Sequence, residues 1–442
     1  MKKIFIIGAG RSSATLIRYL EEQAPTYGWE ITVGDQDINL VNGKITQPTR
    51  AIVFNVFDEE QRNQEIEQAD IVVSMLPARL HQVVALACLK FGKSLLTASY
   101  VSDELNDLDA EVKAKGLIFL NEMGVDPGID HMSAMRLIDR VKSEGNAITD
   151  FESFTGGLVA PESDNNPWNY KFTWNPRNVV VAGQGGPAKF LQEGKYKYIP
   201  YNRLFRRTEV IDIEGFGKFE GYANRDSLKY IEKYNLQGVP TVYRGTLRRP
   251  GYCRAWDIFV QLGATDDTYF MENTEDMTYK EFINSFLYYA EASVRLKLYH
   301  YMHIDQDSDI IDKLEYLELF SDKKIGLKRA TPAQILEHIL TEKWKMEPDD
   351  KDMVVMWHKL LYKKNGDSDP VKMTSSMVVL GEDSVHTAMS KTVGLPLAIA
   401  TKMVLTGQIA LTGVHIPNRK EIYEPVLNEL ESYGISFVEK ER

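Results

Sequence analysis

Cysteine is almost absent from this chain: two residues in 442, Cys88 and Cys253, each in an apolar neighbourhood. That excludes a disulfide framework and a paired-cysteine metal site, and it fits a reducing compartment. Long apolar runs are missing too, since none approaches the roughly 18 residues of a membrane-spanning helix. The opening MKKIFIIGAG echoes a secretory leader. Its apolar run is only about half the usual length, and Gly-Ala-Gly-Arg stands where a cleavage region belongs. It reads as a strand entering a turn, in a cytoplasmic protein with no membrane partner. Excess positive charge is the third absence. A formal net charge of −11 argues against nucleic acid as a partner, yet allows a local basic pocket. G-x-S-x-G, Walker and H-E-x-x-H motifs do not occur. His300 and His303 have no third ligand nearby and read as exposed helix histidines, so no metal is expected.

What is present is ordinary soluble material, 43% hydrophobic and 26% charged, long enough for two or three domains. Residues 2–120 alternate short apolar runs with helical stretches. Strands are expected at Lys2–Ile7, Glu30–Val33, Ile52–Val56, Ile71–Met75, Ser94–Thr97 and Leu117–Leu120, with helices at Ser13–Gln23 and Leu80–Phe91. This pattern predicts a doubly wound parallel sheet. Ile129, Met132, Met135, Ile138 and Val141 form a helical stripe that Gly145 can end. Between 150 and 263 the residues favour a mixed or antiparallel sheet, with strands such as Val179–Ala182, Glu209–Ile213 and Ile258–Leu262. Residues 278–365 are charged and helix-periodic, with acidic loops around Asp305–Asp312 and Glu347–Asp352. TVGLPLAIATKMVLTGQI and Arg419–Tyr433 read as closing helices.

The turn IFIIGAGRSSA fits G-x-G-x-x-S at the first strand of this run. Gly8 permits the tight turn, Gly10 lets backbone approach a pyrophosphate, and the helix opening at Arg11, Ser12 and Ser13 presents N–H groups to it. Asp35 ends the second strand, where a carboxylate holds the ribose hydroxyls and repels a 2′-phosphate. The next basic residue is Lys44, so NAD is expected rather than NADP. Met75 and Leu76 end the fourth strand and Ser99 and Tyr100 the fifth, positions that border nicotinamide and substrate.

NEMGVDPGIDHM raises two readings of Asp126. It suits a helix N-cap with Pro127 at the first helical position. It also follows the last strand of the nucleotide-binding half, where a carboxylate can face a substrate and Gly128 can leave N–H groups open. His131 is a weaker candidate for a proton relay. Arg225, in ANRDSL, and Arg244, Thr246, Arg248 and Arg249, in VYRGTLRRPGY, could form a pocket for substrate carboxylates.

GAGRSSATLIRYL, NEMGVDPGIDHMSAM, FTGGLVAPESDNNPWNYKFTWNP, ANRDSL, YRGTLRRPGY and KTVGLPLAIATKMVL together resemble the glutamate-forming saccharopine dehydrogenase (saccharopine reductase) family over essentially the whole chain. The resemblance implies an α/β fold with a Rossmann domain at 1–125 completed by 392–442. It further implies an α+β substrate domain at 126–277 and 366–391, a helical subdomain at 278–365, and a homodimer. It implies oxidation of a secondary amine by a nicotinamide cofactor and hydrolysis of the imine to glutamate and 2-aminoadipate 6-semialdehyde. Ser99, Tyr100, Asp126, Arg225 and Thr246 fall on its substrate-binding positions. Gly128 joins them from the reading of the turn, and Asp126 is the catalytic candidate, either orienting the amine or relaying its proton. Thr155 stands where the family often has cysteine, and Asp35 departs from the basic surroundings of NADP-using fungal members. A related imine reductase, such as a carboxynorspermidine dehydrogenase, and a non-catalytic NAD-binding paralogue are the competing readings. The arginines of YRGTLRRPG disfavour the polyamine one.

Overall fold

The computed structural model describes residues 1–305, 308–364 and 369–442. The chain divides into two compact units. The first contains Met1–Ile148, Tyr362–Val371 and Met377–Arg442, the second Thr149–Leu361 and Lys372–Ser376.

In the first unit, strands β1 (Lys2–Ile7), β2 (Trp29–Asp35), β3 (Arg50–Val53), β4 (Ile71–Ser74), β5 (Ser94–Thr97) and β6 (Ile118–Leu120) alternate with helices. Their order in the sheet is β6-β5-β4-β1-β2-β3, and each of these pairings is parallel. This is the expected doubly wound sheet. β4 is buried at all four positions, as a parallel strand covered on both faces must be. The C-terminal part of the chain belongs to the same unit. The helix Ala388–Leu405 lies against the helix Ala14–Tyr27, and Ser390 Oγ accepts from Thr15 N at 3.2 Å. A Cβ at Gly394 would come within 2.8 Å of Leu16 N, so only glycine allows this approach.

The second unit is built on the mixed sheet that the sequence predicts. β7 (Ala147–Val159) pairs parallel with β12 (Thr241–Arg248). β10 (Thr208–Ile213) and β11 (Gly217–Ala223) extend the sheet antiparallel beyond β12. The hairpin β8 (Ala188–Gln192) and β9 (Lys195–Ile199) attaches at β12. β13 (Asp352–Lys363) and β14 (Val371–Leu380) continue from β7 on the other side.

The strand expected at Ile52–Val56 runs Arg50–Val53 instead, and three further expected elements differ. Val179–Ala182 is not a strand: Pro176–Val180 is a helical turn, because Pro176 occupies its first position and the Asn175 side chain accepts from Arg177 N. Ile258–Leu262 lies inside the helix Tyr252–Leu262, bounded by Gly251 and a left-handed Gly263. A short apolar run has no periodicity that separates strand from helix. The helix-periodic reading of 278–365 holds for Tyr279–Asn284, Val294–Met302, Asp309–Tyr316 and Pro332–Lys343. Residues 352–363 instead form β13, whose burial alternates over its second half as a strand's does. The boundary at 365/366 and part of the Asp305–Asp312 loop lie outside the described residues.

Candidate active site

The glycine turn after β1 is fixed from three sides. Gly8 takes φ +104°, and a Cβ there would meet the Met75 backbone at 3.1 Å. Its N–H donates to Gly34 O at 2.8 Å, while Met75 N donates to Ile7 O at 2.8 Å. Asp35 Oδ2 accepts from Ala9 N at 2.7 Å and Oδ1 accepts from Asp37 N at 3.0 Å. Lys44 reaches back to the same turn and donates to Ala9 O at 2.8 Å. Burial lowers its pKa, and the Asp35 charge works the other way. The expectation that no cation stands near Asp35 is therefore corrected: the chain folds Lys44 onto the fingerprint.

Gly10 is exposed, and nothing lies within 4 Å of where its Cβ would be. That open face suits the close approach of a pyrophosphate. The Ser13 hydroxyl is buried and donates to Gly10 O at 2.8 Å, so it holds the turn. Arg11 is exposed, Ser12 and Met75 are partly exposed, and Leu76 packs on the apolar core. These residues fit a dinucleotide.

A second cluster forms at the tips of β4, β5 and β6. His81 opens the helix His81–Phe91 and is buried. Its Nδ1 lies 2.9 Å from Ser74 Oγ, and its Nε2 lies 2.7 Å from Ser99 Oγ and 3.0 Å from Thr97 Oγ1. Burial lowers the His81 pKa to about 4. The adjacent Tyr100 donates its hydroxyl proton to Asp126 Oδ1 at 2.9 Å. Two loops are thereby joined at the carboxyl edge of the sheet.

Asp126 is not the helix cap. The helix runs Ile129–Ser143 with Gly128 at the N-cap, and the Asp126–Pro127 peptide is cis in the turn before it. Capping by Asp126 with Pro127 as first helical residue is thus replaced by a bond from Gly128 N to Asp130 Oδ1 at 2.6 Å. The Gly128 N–H, expected to be open, is spent there. His131 is fully buried between Glu122 Oε2 at 2.7 Å and Asp130 Oδ2 at 3.4 Å. Glu122 Oε1 accepts from Val101 N at 3.2 Å, and Glu122 N donates to Ser99 O at 3.0 Å. One chain of contacts thus runs Val101–Glu122–His131–Asp130–Gly128 and braces the loops that carry Tyr100 and Asp126. His131 is better described as part of this brace than as a relay.

Sequence reasoning missed His81, Glu122 and Asp130. The signals were a histidine in SMLPARLHQ between polar strand ends, and two acids, Glu122 and Asp130, ahead of the histidine of NEMGVDPGIDHM.

Arg225 and Thr246 belong to the second unit. Arg225 sits at φ +44°, an unusual conformation for a non-glycine residue, held where its carbonyl accepts from Lys189 N at 2.8 Å. Thr246 lies on β12 opposite Tyr222 and beside Thr155. Of the neighbouring arginines, Arg244 lies over the Tyr230 ring at 4.0 Å and Arg249 over Phe219 at 4.5 Å. Arg248 is buried.

A parallel sheet with a glycine turn after its first strand, and polar groups gathered beyond its strand ends, defines a dinucleotide-binding protein. Residues 4–120 match the family described as saccharopine dehydrogenase NADP binding domain, and 124–435 match the saccharopine dehydrogenase C-terminal domain. The chain belongs to the saccharopine dehydrogenase family. It is 33% identical to the mitochondrial alpha-aminoadipic semialdehyde synthase of Rattus norvegicus, over 99% of this chain and 47% of that protein. The chain thus spans about half the length of the first curated relatives it matches. It is 31% identical to the saccharopine dehydrogenase [NADP(+), L-glutamate-forming] of Schizosaccharomyces pombe, over 100% of this chain and 99% of that one. The apo structure of the L-Glu-forming enzyme from Saccharomyces cerevisiae superposes with a TM-score of 0.89 at 30% identity, covering both chains fully.

Proposed function

We propose that this chain is an oxidoreductase that interconverts saccharopine with L-glutamate and 2-aminoadipate 6-semialdehyde. The observation that carries the reading is the Tyr100–Asp126 pair, set at the strand ends where ligands of doubly wound sheets bind. The names of the full-length fungal relatives support the choice of substrate. A nicotinamide dinucleotide bound over Gly8 and Gly10 would supply the hydride acceptor. Loss of hydride from the carbon bearing the neutral secondary amine leaves a protonated imine. Water then adds to that carbon and must lose a proton. In this reading the Asp126 carboxylate, oriented by the Tyr100 hydroxyl, accepts it. Cleavage of the C–N bond, with a proton returned to nitrogen, releases glutamate and the aldehyde. Ser99, held by His81, hydrogen-bonds the substrate, and Gly128 shapes the turn that presents Asp126. Arg225 engages a carboxylate of the substrate, which carries three, and Thr246 donates a hydroxyl. The functional unit is a homodimer acting on a small molecule, as the resemblance implies.

For the cofactor, the Asp35 carboxylate at the tip of β2 supports NAD, because it would repel a 2′-phosphate. A second reading, NADP, is supported by the names of the fungal relatives and by Lys44 at the same turn. Purified protein given saccharopine with either cofactor, beside lysine, glutamate and carboxynorspermidine as controls, tests both points. Reduced cofactor should form with saccharopine alone. Turnover of carboxynorspermidine instead would move the chain to the polyamine class, and no turnover of any would make it a non-catalytic relative.

A further inference from the structure

β2 lies between β1 and β3, but β3 does not accompany it over its whole length. Gly8 N donates to Gly34 O, and Phe54 N donates to Asp35 O. Alternate residues of a parallel strand turn their main-chain groups to opposite sides. Even-numbered residues of β2 therefore bond toward β1, and odd-numbered ones turn toward β3. β3 begins with Arg50 opposite Thr32. Two residues earlier, where a longer strand would pair opposite Glu30, stands Pro48, which has no N–H to give. The carbonyl of Trp29 and the N–H of Ile31 thus lie beyond the β2–β3 ladder. Among the described residues no loop main-chain group bonds either of them. Both residues are buried, and buried main-chain groups are normally paired.

Trp29 and Ile31 line a cavity of about 830 Å³ at the amino end of the sheet, within the roughly 300–1,000 Å³ of small-ligand sites. Gly8 and Gly10 follow the opposite end of β1, about 20 Å away for a six-residue strand. Pro25 and Pro48 add apolar walls. Of the charged side chains that line the cavity, Arg50 spends its fork on Glu65 at 3.0 and 2.8 Å, and Lys3 lies 3.8 Å from Glu30. Glu21 differs from these. It accepts from Thr46 N and Thr46 Oγ1, both at 2.8 Å, and makes no ion pair among the described residues.

We propose that this notch takes an extended, basic peptide segment of another polypeptide as a short strand beside β2. One residue of the segment sits opposite Glu30, its N–H donating to Trp29 O and its carbonyl accepting from Ile31 N, in the pattern of a parallel pair. A basic side chain next to that residue pairs with Glu21. The segment supplies the strand pairing that Pro48 denies to the chain itself.

The test adds acetyl-Lys-Val-Lys-amide to the full chain and reads Kd by calorimetry and amide hydrogen exchange over residues 29–33. The Ile31 amide should exchange faster than that of Val33 in the free protein, and become protected as the peptide saturates. Glu21→Gln, which keeps an oxygen for Thr46, should weaken Kd about ten-fold. A peptide with N-methylvaline at its centre cannot donate to Trp29 O, and should bind about ten-fold more weakly as well. Saturating NAD should leave Kd unchanged, because the cofactor turn stands at the other end of β1. No saturable binding, or equal affinity for the N-methylated peptide or for acetyl-Glu-Val-Glu-amide, would overturn the proposal. So would an unchanged Kd in Glu21→Gln or competition with NAD. The same protection of Ile31 by n-butylamine would also overturn it, and would make this a site for a small cation. The measurement needs no turnover, so failure of this site is distinguishable from failure of the activity proposed above.

Discussion

His81 Nε2 and Ser99 Oγ lie 2.7 Å apart, while the other ring nitrogen holds Ser74 at 2.9 Å. The imidazole thus ties the tips of two strands and sets the serine at the candidate site. Its folded pKa, lowered by burial to about 4 from an ordinary 6.5, has a consequence for stability. Between those values the unfolded chain binds a proton that the folded chain refuses, so stability falls as pH drops through this window. From pH 7 to pH 5 the loss should be ~2 kcal/mol from this group alone. Urea unfolding of wild type and His81→Gln at both values checks it. Equal pH dependence in the two proteins would remove His81 as the cause.

Gly10 and Gly128 should separate approach from packing. Gly10→Ala adds a methyl to open space, so the thermal midpoint should stay within a degree or two while nicotinamide binding weakens. Gly128→Ala would place a Cβ 2.0 Å from Gly124 O at φ +147°. It should cost about 3 kcal/mol or more, through strain and overlap. Thermal melts and cofactor titration of both variants decide; normal cofactor affinity in Gly10→Ala would put the pyrophosphate elsewhere.

Cofactor choice turns on Asp35. Asp35→Asn keeps an oxygen for Ala9 N but removes the charge that would face a 2′-phosphate. The ratio of NADP to NAD turnover should rise about ten-fold, equivalent to ~1.4 kcal/mol. If wild type already uses NADP ten-fold better than NAD, Asp35 serves only to brace the turn and Lys44 becomes the specificity residue.

Much of this was legible in the chain itself. β1 and β5 fall where the apolar runs place them, and the parallel order follows from their alternation with helices. Gly8, Asp35, Tyr100 and Asp126 stand at strand ends because that edge of the sheet is where such folds collect polar groups. What was hidden depended on long-range placement. Lys44 is separated from Ala9 by 35 residues, and Glu122 meets Val101 across two strand tips. The helix Tyr252–Leu262 was mistaken because IFVQL is apolar and partly β-branched, and tertiary burial overrode that local preference. Of the two readings of Asp126, the cap does not hold: Asp-Pro-Gly suits a helix start locally, whereas here the turn spends two more residues before the helix begins.

The central claim is that the Asp126 carboxylate, oriented by Tyr100, handles a proton of the saccharopine reaction. Since Gly128 and Asp130 make the helix start, Asp126→Asn leaves that start intact and keeps an oxygen for the Tyr100 hydroxyl. The direct measurement is kcat/KM for saccharopine in wild type and Asp126→Asn, with the thermal midpoint taken on the same samples. The account predicts an unchanged midpoint and a fall of ~10²–10⁴ in kcat/KM, the usual loss for an acid–base group. Near-normal kcat/KM in a folded Asp126→Asn would contradict it.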